Sequence, residues 1–160
     1  MTEETNLNVL PNDELLKTFV GEKFAYYQQK WQHTPGQFKG FNIAAFFLGV
    51  FWLIYRKMYL YVAIFLGLIL LDFAIEIYYP LPELISKSLN WAIATVFGVL
   101  GNYLYKLHTT KKVKSITESV IPEQLQAELA KQGGTNLAGA QIALAMLVGL
   151  AWYVFFGVVE

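Results

Sequence analysis

Two carboxylates, Asp72 and Glu76, stand four residues apart in the apolar run Tyr59 to Tyr79. On a helix this spacing puts both on one face. If the run crosses a bilayer from Tyr59, Asp72 lies roughly 20 Å in at the helical rise. A carboxylate near the membrane centre costs about 2.5–3.5 kcal/mol on insertion scales, and such groups face cavities, ion paths or partners. The chemistry on offer is proton or cation handling by a protonatable pair. The structural alternative is a capped, partly hydrated pair near Lys87.

Amides and small residues recur at the same spacing in two other apolar stretches. Asn90, Ala94, Gly98 and Asn102 fall four apart, as do Gln141, Ala145 and Gly149. Small residues let helices approach closely and amides cross-link them. The two stripes are therefore expected to face each other. Asp72, Glu76 and Asn90 would form an outer polar layer in which Asn90 donates to Asp72, and Asn102 and Gln141 an inner one. Ordinary helix packing accounts for the same stripes.

No catalytic set accompanies these residues. His33 and His108 lie in separate polar segments without metal-ligand spacing. No nucleophile–histidine–acid arrangement, phosphate loop or nucleotide motif is present. The chain has no cysteine, which excludes disulfides, thiol catalysis and cysteine metal sites. Neither an enzyme activity, a metal nor a cofactor is expected. A net charge of zero supplies no global basic field for nucleic acid.

The elements that must position the polar residues follow from the apolar pattern. Hydrophobic residues make up 56% of the sequence, well above a soluble domain. Three runs are long enough to cross: 59–79, 89–107 and 137–159. Residues 41–54 are too short for a span, which needs about twenty residues, and read as interfacial or re-entrant. Asn12 is suited to cap a helix in which Leu16, Phe19, Val20, Phe24, Tyr27 and Trp31 form one stripe. That stripe fits a helix lying on the membrane or packing on another cytosolic segment. Thr34-Pro35-Gly36 ends it. The segment before Pro11 is polar and reads as loosely attached. Its acidic start, Met1-Thr2-Glu3-Glu4-Thr5, is not read as a signal peptide. Ile121-Pro122-Glu123 opens a short helix that Gly133-Gly134 stops, and Thr135 or Asn136 caps the last span.

The expected fold is all-α: a small polytopic membrane helix bundle of three spans, with an interfacial or re-entrant helix and an amphipathic N-terminal helix. Residues 1–40 form a cytosolic region and 41–160 the membrane domain, whose segment 41–57 is interfacial and whose segment 108–136 is a cytosolic loop with a short helix. Trp31, Trp52, Arg56 and Lys57 mark the membrane boundary or meet lipid headgroups. Lys17, Lys23, Lys30 and Lys39 precede the membrane domain, and Lys106, Lys111, Lys112, Lys114 and Lys131 follow the second span. The positive-inside rule places both groups in the cytoplasm, hence the N-terminus in and the C-terminus out. A four-span alternative would leave one lysine-rich region outside.

The sequence FNIAAFFLGVFWLIYRKMY, preceded by FVGEKFAYYQQKW and followed late by LAKQGGTN, resembles an uncharacterised bacterial inner-membrane family classed as a domain of unknown function. The resemblance covers Phe19 to about Tyr59, with a weaker echo at Gly133-Gly134-Thr135. It implies a small polytopic membrane protein and brings no catalytic residues. Family members often carry proline after the glycine, favouring a kinked hairpin, where this chain has Val50.

The function expected from these features is that of an accessory, adaptor or regulatory subunit working in the lipid bilayer through a membrane-protein partner. A homo-oligomeric channel or small transporter using Asp72 is the alternative. A lipid-directed enzyme has least support, because Asp72, Glu76, His33 and His108 are not gathered by the pattern.

Overall fold

The computed structural model describes residues 12–33, 40–80 and 82–156, apart from the side chains of residues 86 and 90. The expectations for the segment before Pro11, for Thr34-Pro35-Gly36, for Lys39 and for residues 157–159 lie outside the described residues.

Asn12 accepts from the Glu14 backbone N–H at 3.1 Å and opens α1, Asp13–Val20, as a side-chain cap should. Gly21, at φ +77°, then breaks the chain into a 3-10 turn before α2, Phe24–Trp31. The single amphipathic helix expected here is thus two, but the stripe survives the break. Phe19, Val20, Phe24 and Tyr27 are all buried in the protein interior. Packing on protein, not lying on lipid, is what this stripe does.

Asn42 caps α3, Ile43–Leu48, by accepting from Ala45 N–H at 2.9 Å. Gly49, at φ +49°, separates it from α4, Val50–Tyr55. The break therefore forms at the glycine itself, and Val50 opens the second helix. Each of these helices has six residues and rises about 9 Å, against a hydrocarbon core of about 30 Å.

Three helices are long and apolar enough to cross a membrane. The first is α5, Tyr59–Tyr78. The second is α6, Glu83–Ser119, an unbroken helix of 37 residues. The third apolar run ends in α8, Leu137–Phe156. Between α6 and α8 lies α7, Pro122–Gln132, with proline at its first turn, where the missing N–H is not needed. Asn136 caps α8, accepting from Gly139 N–H at 2.8 Å.

The end of α6 departs from the expected loop after 107. No glycine or proline occurs between Asn102 and Val120, and Tyr105, Thr109, Val113 and Ile116 are buried along one side. A helix of this length rises roughly 55 Å, so it outruns a bilayer core. Its basic end joins α1, α2, α3, α4 and α7 in a headpiece. One core cluster gathers Val20, Phe24, Tyr27, Ala45, Trp52, Leu53, Met58 and Tyr105. A second gathers Phe19, Val113, Ile116 and Leu129. By contrast, none of the apolar window of α5 is buried within the chain, and none of that leading into α8.

Candidate functional site

The end of α4 decides where two adjacent cations go. Lys57 N–H donates to Ile54 O at 3.0 Å and Met58 N–H to Leu53 O at 2.9 Å, the pair of bonds that defines a Schellman helix end. Lys57 occupies its left-handed position, φ +56°. The sharp turn sends the two side chains apart. Lys57 Nζ reaches the end of α7 and donates to Lys131 O and Gly133 O, a favourable place for a cation. Lys57→Met, which keeps the stem and removes the charge, is expected to lower stability by about 1–2 kcal/mol. Thermal unfolding in detergent measures this, and an unchanged midpoint would show that the cap contributes nothing.

Arg56 turns inward and is 4% exposed. Its guanidinium carbon lies 4.5 Å from the Tyr27 ring centre and 5.1 Å from those of Tyr55 and Tyr105. Each such contact contributes about 0.5–2 kcal/mol, whereas desolvating an ion costs several kcal/mol. Among the described residues no carboxylate pairs with it, and its Nε and Nη1 are buried without a hydrogen-bond partner. The neighbouring phenol does not serve as counter-ion. Burial pushes Tyr27 up to about 12, against the pull of the Arg56 charge.

A cavity of about 590 Å³ lies beside Arg56, between α2, the α3–α4 pair and the first turns of α8. Lys23, Trp52 and Gln141 share its lining with Arg56. The structure thus brings Gln141, expected in an inner polar layer, beside Trp52 and Arg56, expected at the membrane boundary. Trp52 is 2% exposed and sits edge-on to Tyr105. Half-buried Trp31 donates to Asn102 O at 2.9 Å and packs on Tyr27. Both tryptophans, expected at a headgroup boundary, are taken up by the aromatic core around Arg56.

Asn102 meets Asn42, not Gln141. Asn42 Nδ2 donates to Asn102 Oδ1 at 2.8 Å, and Asn102 Nδ2 donates to Gly40 O at 2.9 Å. With Asn42 N–H donating to Gly98 O at 2.7 Å, this network fastens the start of α3 to α6. The expected facing of the α6 and α8 stripes gives way to it. A Cβ at Gly98 would strike the Phe41 ring and one at Gly101 would strike Ala45, whereas nothing lies within 4 Å of a Cβ at Gly149. Ala94 is half-buried on α6 and Ala145 is exposed on α8.

Asp72 and Glu76 are exposed on α5. Among the described residues Asp72 has no hydrogen bond or ion pair, and Lys87 pairs with Glu83 at 2.6 Å. Asn90 lies on α6, its side chain outside the described residues. His33 follows the end of α2, whereas His108 on α6 is buried against the Phe19 and Tyr61 rings. No metal-binding cluster occurs among the described residues.

The residues missed by pattern are Tyr27, Tyr55 and Tyr105 as a ring cage, and Asn42 as the partner of Asn102. Tyr105 had a signal. It continues the Gly98–Asn102 stripe at helical spacing through Thr109, Val113 and Ile116.

An all-helical headpiece carrying three helices apolar enough to cross a membrane has the architecture of a polytopic membrane protein. The chain belongs to the family described as Protein of unknown function (DUF2628), whose family model matches residues 4–111. The Arg56 cage and the Asn42–Asn102 pair fall inside that segment, and α7 and α8 fall beyond it. Comparison with curated proteins and with solved structures gave no match.

Proposed function

We propose that the chain is an integral inner-membrane protein that acts as an accessory, adaptor or regulatory subunit through a membrane partner. The observation that carries this is the unburied state of α5 and of the apolar window leading into α8, with Asp72 exposed on α5 and unpartnered among the described residues. Lipid covers apolar side chains as well as protein does, but it offers a carboxylate nothing. A polar group on a neighbouring helix removes that cost. The proposed orientation keeps the N-terminus cytoplasmic and the C-terminus periplasmic. It is supported by the packing of α1 on α6 and α7 and of α2 on α6, since the positive-inside rule favours one side for the lysines these helices carry.

Purification from the native membrane in mild detergent, with mass determination of the intact complex, tests this. A different membrane protein at fixed stoichiometry is the expected result, and Asp72→Ala should weaken the association about tenfold, as loss of one hydrogen bond to a charged group does. A pure homo-oligomer whose ion flux in vesicles is abolished by Asp72→Asn would favour the channel alternative instead. A monomer free of any partner overturns both.

A further inference from the structure

We propose that the cavity beside Arg56 binds the phosphate headgroup of an anionic phospholipid. The inference is independent of the partner proposed above. It starts from an unmatched charge. An arginine side chain does not lose its proton in a protein, and this one is held in the core with Nε and Nη1 lacking acceptors among the described residues. Three tyrosine rings stabilise the cation without supplying a negative charge. Nε and Nη1 are closed off from the cavity in the structure, so the guanidinium must turn for its fork to meet two phosphate oxygens at once.

The surroundings select the kind of anion. Among the described residues no aspartate or glutamate lines the cavity, and Lys23 adds a second cation. The remaining wall is largely apolar, with Leu48 on α3, Phe51 on α4 and Leu144 on α8. Leu48 and Leu144 are half exposed or more. A free phosphate would satisfy Arg56 and leave this wall uncovered. A phospholipid satisfies both: its phosphate meets Arg56 and Lys23, and its glycerol and acyl chains continue along the apolar wall. Because α8 is apolar enough to cross a membrane, the cavity can fill sideways from a bilayer leaflet. Its volume falls within the usual range for ligand sites, about 300–1,000 Å³.

The full chain, purified in detergent and exchanged into mixed vesicles or nanodiscs, provides the test. Intact mass spectrometry would count phosphatidylglycerol and phosphatidylcholine retained per chain. Wild type is expected to retain one phosphatidylglycerol at least about tenfold in preference to phosphatidylcholine. Arg56→Gln should remove that preference, and Arg56→Lys should restore only part of it, since lysine lacks the fork. Ala140→Trp fills the cavity with Arg56 left in place and should also reduce retention about tenfold, so the question stays decidable if Arg56→Gln does not fold. Equal retention of the two lipids by wild type overturns the proposal. So does unchanged retention in Ala140→Trp, or saturation of the site by inorganic phosphate with no preference between lipids. None of these outcomes bears on whether a protein partner co-purifies.

Discussion

Gly133→Ala is expected to lift the end of α7 from α1 and to cost about 2–4 kcal/mol. Gly133 is buried, and a Cβ there would run into the Phe19 carbonyl and the Leu129 oxygen. Those are backbone atoms, which cannot rotate aside as a ring could. Overpacking alone costs about 1–3 kcal/mol. The forced separation would also break the bond from Gly134 N–H to Phe19 O, 2.7 Å, for about another 0.5–1.5 kcal/mol. The fall in Tm should be on the order of 10 °C for a chain of this size. Gly134→Ala is the instructive comparison. Gly134 holds φ +70° with nothing within 4 Å of a Cβ, so its cost is conformational, about 1–2 kcal/mol. If the two variants melt alike, or Gly133→Ala melts with wild type, the seating of α7 on α1 is wrong.

Asn102→Ala is expected to be as damaging, for an electrostatic reason. Asn42 and Asn102 are 2% and 3% exposed, so water cannot replace what either loses. Truncating Asn102 orphans Asn42 Nδ2 and Gly40 O together, at about 1–3 kcal/mol each. The start of α3 should then detach from α6, and amide exchange of Asn42 and Ala45 should rise with it. A double-mutant cycle gives the sharper measurement. Asn42→Ala made on top of Asn102→Ala should add only the loss of the Ala45 N–H cap, about 0.5–2 kcal/mol, because the donor being removed is already unpaired. The coupling should reach about 1–3 kcal/mol. Additive costs in the two single variants would show that the amides do not bond to each other.

Both sites illustrate what a linear pattern can and cannot carry. Gly133-Gly134 reads correctly as the end of a helix, since that depends on neighbouring backbone alone. Its use as the floor on which Phe19 rests depends on a residue more than a hundred positions away. Asn102 is legible as an amide on a small-residue stripe, but its expected partner is Gln141. The stripe exists, but the segment that fills it is α3, whose brevity made it look like a membrane-surface helix with no assigned neighbour.

The amino-acid sequence by itself determined what is local. Unbroken apolar length defined the helices able to cross a membrane, Asn12 the cap of α1, Thr135 or Asn136 that of α8, and the 3.6-residue recurrence from Leu16 to Trp31 a single face. It also showed that the chain must accommodate Asp72 on an apolar helix. Only the tertiary structure decided what each face meets. It carried α6 on through its lysines because α1 and α7 offered Val113 and Ile116 a place to bury. It split Arg56 from Lys57, adjacent in sequence and alike in charge, by a single left-handed residue at the end of α4. One cation went to the carbonyls closing α7 and the other into a ring of tyrosines drawn from α2, α4 and α6. Helix formation and burial depend on near neighbours and are written in short periods, whereas the partner of a buried charge or amide is set by packing among distant segments, which no single stretch of sequence specifies.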